Sequence, residues 1–275
     1  MKTQSAKLAE STVFVVGLAG RYKVDKIKRL VSALKEILSH EIHMSATSVG
    51  LSIKQLNLAK TILVDVEIPE NFFYRYEITE SSGLFAVDAQ RMTELVEQAN
   101  SRLTFSLREC KSEVELLCEW KDGSATLPVF EAADEAKSPS LNPTIKASLI
   151  AKNLKTSLKM IDSDYFTLRA SAPFSELLLI QDNESGIKEK RIRRGGGLLS
   201  LAHLKNGIQD DRDERDSEDM VEANVSAVYS TKAVLNMLKL WPAESRVTLE
   251  FDTNRPLALK FRFGKLILAP RVLRE

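Results

Sequence analysis

Residues 246–272 read RVTLEFDTNRPLALKFRFGKLILAPRV. Apolar residues fall at every second position through Val247, Leu249 and Phe251, and again through Leu257, Leu259 and Phe261, the period of a strand with one buried face. The polar Asp252-Thr253-Asn254-Arg255 between them is a turn, so strands over 246–251 and 256–263 are predicted to pair. Just upstream, Ser230 is placed to cap a helix carrying Val234, Leu235, Leu238 and Leu240, and Pro242 stops it.

The same order of elements appears earlier in the chain. A helical stripe with Met92, Leu95, Val96 and Ala99 spans 88–99, with Asp88 as its N-cap, and RLTFSLRECKSEVELLCEW follows at 102–120 as two strands, 103–107 and 114–120. The first helix is the most regular: Val24, Ile27, Leu30, Val31, Leu34, Ile37 and Leu38 form one apolar stripe over 24–38. Strands are predicted after it over 43–46, 50–56 and 61–68. A helix over 154–161 followed by strands over 166–170 and 176–181 repeats that plan, so the chain reads as two similar α+β halves.

The stretch 127–143, with Pro128, Pro139, Pro143 and the acidic Glu131, Asp134 and Glu135, has the composition of an extended linker. The expected domains are therefore 1–126 and 144–275. One segment breaks the plan. From 186 to 222 the sequence passes from basic KEKRIRRGGG through LLSLAHL to acidic DDRDERDSED, and is expected to be mostly a mobile insertion whose apolar piece pairs as a strand.

Composition narrows the function. Lys and Arg total 39 against 38 Asp and Glu in 275 residues, so the whole molecule exerts little attraction on nucleic acid, and any DNA binding must come from local charge or from topology. Cys110 and Cys118 lack the spacing of a metal site or disulfide framework and read as reduced thiols. No apolar run approaches the ~20 residues of a membrane span, and a signal-peptide core is not apparent. A cytoplasmic protein is expected, nucleoid-associated if prokaryotic. His40, His43 and His203 form no HExxH, and RRGGGLL at 193–199 lacks the Lys-Ser/Thr of a phosphate loop. Catalysis, metal and cofactor are therefore not expected.

The closing segment, together with LVSALKEIL (30–38), VGLSIKQLN (49–57) and ELVEQANSRL (94–103), resembles the proliferating cell nuclear antigen family of DNA sliding clamps, archaeal type, from about Tyr22 onward. The resemblance implies two clamp domains per subunit with helices on one face of antiparallel sheets, and a ring of three subunits, homo- or heterotrimeric. It also implies duplex DNA, a clamp loader, DNA polymerase, flap endonuclease and ligase as partners. Retention on DNA would be topological, with loose phosphate contacts.

Basic residues stand on the polar faces of the helices: Lys23, Lys26, Lys28, Arg29 and Lys35 on the first, Lys152, Lys155 and Lys159 on the third, and Lys232 and Lys239 on the fourth. Any one of them alone is more simply a solvated helix face. By resemblance, Lys28, Arg29 and Lys35 take DNA-facing positions. The second helix departs from the pattern, because Glu94 and Glu97 stand where the family has lysines, leaving Arg91 and Arg102. That departure also fits a clamp-fold scaffold, or a specialised heterotrimer subunit, with weak direct DNA contact.

The resemblance further implies a pocket for a client's hydrophobic-aromatic peptide, lined by Leu56, Thr61, Val129, Pro256, Ile267, Leu268, Ala269 and Pro270. Thr61 replaces an aliphatic residue there. Strands 114–120 and 176–181 correspond to the edges that pair between subunits, with Val114, Leu116, Cys118, Leu177 and Leu179 at the interface.

Overall fold

The computed structural model describes residues 11–79, 82–110, 113–132, 135–171, 173–183, 186–205, 208–209 and 224–271. The chain divides into two units, Met1–Leu58 with Val66–Ala136, and Ala59–Asp65 with Lys137–Glu275.

The first unit opens with β1 (Ser11–Ala19) and α1 (Arg21–Leu38), joined at Gly20, whose φ of 90° admits the sharp turn. Strands β2 (Glu41–Thr47), β3 (Gly50–Leu56), β4 (Ile62–Pro69), β5 (Arg75–Ile78) and β6 (Phe85–Asp88) follow. Residues 66–69 of β4 count with this unit and 62–65 with the second. Next come α2 (Ala89–Gln98), β7 (Arg102–Cys110), β8 (Glu113–Trp120), β9 (Gly123–Pro128) and β10 (Phe130–Glu131). One sheet runs β5-β1-β7-β8-β9 and the other β10-β6-β2-β3-β4, with helices packed on them.

The predicted stripe of α1 is its buried face, and it meets Phe14, Val16 and Leu18 of β1, Phe85, and Met92 and Val96 of α2 in one apolar core. Asp88 caps α2, its carboxylate accepting from the Arg91 N–H at 2.7 Å. Asp88→Ala should lower stability by about 0.5–2 kcal/mol, read from the urea midpoint. An unchanged midpoint would show the cap to be dispensable.

The second unit repeats the plan with β11 (Ile145–Ile150), α3 (Ala151–Lys159), β12 (Tyr165–Ser171), β13 (Glu176–Asn183), β14 (Gly186–Arg193), β15 (Leu198–Lys205) and β16 (Ile208–Gln209). It closes with β17 (Asn224–Ser230), α4 (Thr231–Met237), β18 (Arg246–Phe251), β19 (Leu257–Phe261) and β20 (Gly264–Leu268). Its sheets run β14-β13-β12-β17 and β20-β19-β18-β11-β15-β16. The opening stretch thus makes three strands: β18 pairs with β19 as predicted, and β19 pairs with β20 in register Leu257↔Leu268 through Phe261↔Gly264. Ser230 caps α4, its hydroxyl accepting from the Ala233 N–H at 3.3 Å.

Two expectations about connections change. The first part of the predicted linker is strand, because Pro128 ends β9 and Phe130–Glu131 pairs with Ala86 and Phe85. The segment beginning at 186 is no insertion over its first half. β14 pairs along its whole length with β13, from Asn183↔Gly186 to Glu176↔Arg193, and the LLSLAHL piece pairs with β11. The charges of β14 suit an edge strand, and Glu176 holds Arg193 at 2.8 Å and Arg191 at 3.3 Å across the pair. The acidic run at 210–219 and Asp134 lie outside the described residues.

Candidate nucleic-acid interface and partner surfaces

α1 presents its basic residues opposite the buried stripe, yet several are engaged. The Lys23 ammonium donates to the Phe72 carbonyl and sits 5.3 Å from the centre of the Phe72 ring. Lys26 lies 4.2 Å over the Tyr22 ring. Lys28 donates to the Glu97 carbonyl at 2.9 Å and lies 3.8 Å from the Glu97 carboxylate, leaving its side chain 17% exposed. Arg29 is exposed and Lys35 half-buried, and neither has an ion-pair partner within 4.0 Å among the described residues.

On α2, Arg91 is exposed and Glu94 accepts from Gln90 one turn earlier. Glu97 thus ties α1 to α2 through Lys28 and leaves the Lys28 ammonium less open to solvent. In the second unit Lys152, Lys155 and Lys159 lie on one side of α3, away from buried Leu154 and Leu158, with Lys152 3.4 Å from exposed Glu244. Lys232 and Lys239 are exposed at α4 and the turn after it.

The residues of the expected peptide pocket fall in both units. In the second, the Ala269 N–H donates to the Thr61 carbonyl at 2.8 Å, which sets Thr61 and Ala269, both exposed, side by side. Pro256 and Pro270 are half-buried, whereas Ile267 and Leu268 are buried as β20 core residues. The tail is pinned further on, where the Arg271 N–H donates to the Val228 carbonyl at 2.8 Å and its guanidinium stacks 3.9 Å over Tyr165. In the first unit Leu56 is exposed. Val129 lines an open groove of about 800 Å³ together with the apolar Leu84, Val114 and Phe130 and the acidic Glu109, Glu113, Glu115 and Glu131.

The expected interface strands prove to be interior ones. β8 is paired on both sides, by β7 and β9, and β13 on both sides, by β12 and β14. Leu116, Cys118, Leu177 and Leu179 are core residues, each no more than 1% exposed, and of the five only Val114 reaches the surface. Burial pushes the Cys118 thiol up to about 12. The sheets that hold β8 and β13 end instead at β5 and β9 and at β14 and β17, which makes β9 and β14 the edges beside the expected strands. Sequence reading missed them because their apolar alternation is weak. The usable signal was the charge of KEKRIRR, since exposed edges are protected by such residues.

Among solved structures, the chain matches a crystal structure of PCNA from Thermococcus kodakaraensis with a TM-score of 0.76 and 21% identity, over 94% of this chain and all of that one (100%). The fold is that of a DNA sliding clamp. A structure of the C-terminal region of FEN-1 bound to A. fulgidus PCNA also matches, with a TM-score of 0.73 and 18% identity, over 95% of this chain and 100% of that one. In sequence the chain resembles the DNA polymerase sliding clamp 2 of Thermococcus kodakarensis, 25% identical over 260 residues, which cover 90% of this chain and 94% of that protein. No family model matches. The clamp fold accounts for the paired halves.

Proposed function

We propose that the protein is a sliding-clamp subunit, a non-catalytic processivity factor that encircles duplex DNA and tethers polymerase and other DNA-processing enzymes to it. The observation that carries the reading is the clamp fold over nearly the whole chain, joined to basic faces on α1 and α3. A near-neutral protein holds DNA this way because a closed ring needs only loose, exchangeable phosphate contacts. A client peptide would dock where Thr61, Ala269, Pro256 and Pro270 are accessible, with a flap-endonuclease tail as the model, since the A. fulgidus PCNA is seen with one.

The test is topological. Loaded by a clamp loader and ATP onto circular duplex, the protein should stay through gel filtration and be shed when the circle is cut once. Equal retention on circular and linear DNA would refute the reading.

Ring formation needs two complementary edges, and one chain carries both. The outer face of β8, beside edge β9, bears Glu113, Glu115 and Glu119, while edge β14 bears Arg191 and Arg193. Two unlike edges on one chain, uncharged β9 and charged β14, fit a head-to-tail contact between identical copies. Native mass measurement of the purified protein should therefore give a trimer, and a stable monomer would point to sister subunits.

A clamp-fold scaffold without direct DNA contact is favoured by one observation, the capture of Lys28 by Glu97. Under that reading, replacing Arg29 and Lys35 with Glu leaves activity intact, whereas a DNA clamp loses it.

A further inference from the structure

The basic arm at 188–194 has two faces with different fates. Register pairs Lys188 with Gln181, Lys190 with Leu179 and Ile192 with Leu177, and directly paired residues of an antiparallel sheet share a face. Gln181, Leu179, Leu177 and Ile192 are all buried, so this is the core side. Glu189, Arg191 and Arg193 alternate to the other side, where Arg191 lies 3.1 Å from Glu189 and both arginines reach Glu176. Lys188 and Lys190 are exposed and, among the described residues, have no carboxylate within 4.0 Å.

α3 is fastened along this same side of the sheet. At its first turn the Asn153 side chain donates to the Gly196 carbonyl at 3.2 Å, and the Ile150 N–H to the Gly197 carbonyl at 3.0 Å. The fit is tight: a Cβ on Gly197, whose φ is 106°, would fall 1.7 Å from the Asn153 amide nitrogen. Just beyond the other end of the helix, the Asp162 N–H donates to the Gln181 side chain at 2.9 Å. The helix therefore runs beside β14 from the Arg194-Gly-Gly-Gly turn to the Lys188 end.

We infer that Lys188, Lys190 and Arg194 form a second row of phosphate contacts parallel to Lys152, Lys155 and Lys159 of α3, making a double cationic strip that takes the backbone of duplex DNA. The glycine turn and Asn153 set the spacing of the two rows, and Glu176 holds the outward arginines away from them. The inference rests on the clamp reading. It adds a contact surface on a strand, where that reading looks to helices.

The test compares wild type with Lys188→Ala/Lys190→Ala/Arg194→Ala, and with Lys137→Ala/Arg262→Ala as a control that removes exposed charge elsewhere in the second unit. Each full-length protein is titrated with a linear duplex across a salt series, and its native mass is recorded on the same samples. The strip predicts on the order of tenfold weaker binding for the inner triple variant at low salt and a log K against log salt slope shallower by roughly 2–3, with unchanged mass. The control should keep the wild-type slope. If wild type binds but the triple variant matches it in affinity and slope, the strip is wrong and the clamp reading stands. Loss of the assembled mass in the triple variant would overturn the inference in favour of a contact between subunits. If wild type itself fails to bind the linear duplex at any salt, the strip is wrong, whereas the clamp reading is overturned only by the circular-DNA test above.

Discussion

Phe14→Ala should lower the stability of the first unit by about 3–5 kcal/mol, a large part of the 5–15 kcal/mol typical of a folded domain. Phe14 is 2% exposed on β1, and its ring lies 5.9 Å from that of Phe85. The loss has two parts: the transfer free energy of the ring, and the void left where the surroundings cannot close in. The second part is expected to be large here. Phe14 already borders an apolar cavity of about 30 Å³ with Ile27, Leu30, Met44 and Met92, all on sheets and helices fixed by their own hydrogen bonds. With a lining entirely apolar, no water would stabilise the enlarged space. Urea unfolding followed by circular dichroism measures the effect. A shift below about 1 kcal/mol would mean that α1 and β1 collapse onto the gap, and that the core is looser than its burial implies.

The second large effect is a loss of stability at alkaline pH. The folded state raises the Cys118 thiol to about 12 through burial, and raises the Tyr229 hydroxyl through burial and the nearby Asp252 carboxylate. Tyr229 is fully buried, and its hydroxyl donates to the Arg255 carbonyl at 2.8 Å. Both folded-state values lie above the unfolded ones, so their contribution is fully present below the unfolded pKa, about 8.5 for Cys and 10 for Tyr. As pH rises further, the unfolded chain releases protons that the folded chain keeps. Each group then removes about 1.4 kcal/mol per pH unit until its folded value is reached. Urea midpoints of wild type at pH 8, 9, 10 and 11 should fall steadily, and Cys118→Ala should flatten the part between about 9 and 11. Parallel curves for the two proteins would show that the thiol ionises freely in the fold and does not sit in the core. That result would reopen the possibility of Cys118 at a subunit surface.

Much of the fold follows from local pattern. The α1 stripe, Asp88 and Ser230 as caps, and the 246–263 hairpin need only a period of 3.6 or 2 and a side chain able to accept a nearby N–H. Boundaries moved by up to three residues where the backbone found partners that periodicity does not register. α3 begins at Ala151, three residues before the predicted start, because the Ala151 and Lys152 N–H groups donate to the distant Ser245 and Ala243 carbonyls.

The site was legible in its residue types and less so in their availability. Lysine at 23, 26 or 28 reads as an open cation on a helix face, but whether it stays open depends on Phe72, Tyr22 and Glu97. Two of these three lie far away in sequence. Edge strands show the same limit. The strand 114–120 looks pairable because it is apolar and alternating, and for that reason the fold places it inside, between β7 and β9.

By itself the sequence determined the helices, the hairpins, their repetition in two halves and the absence of strong net charge, since each depends on neighbours within a few positions or on simple sums. Only the tertiary structure decided which strands are edges, which lysines are neutralised, and which side of β14 each cation takes. Those are properties of long-range pairing: an unpaired edge or an unanswered charge is defined by what the rest of the chain brings, or does not bring, within hydrogen-bonding distance.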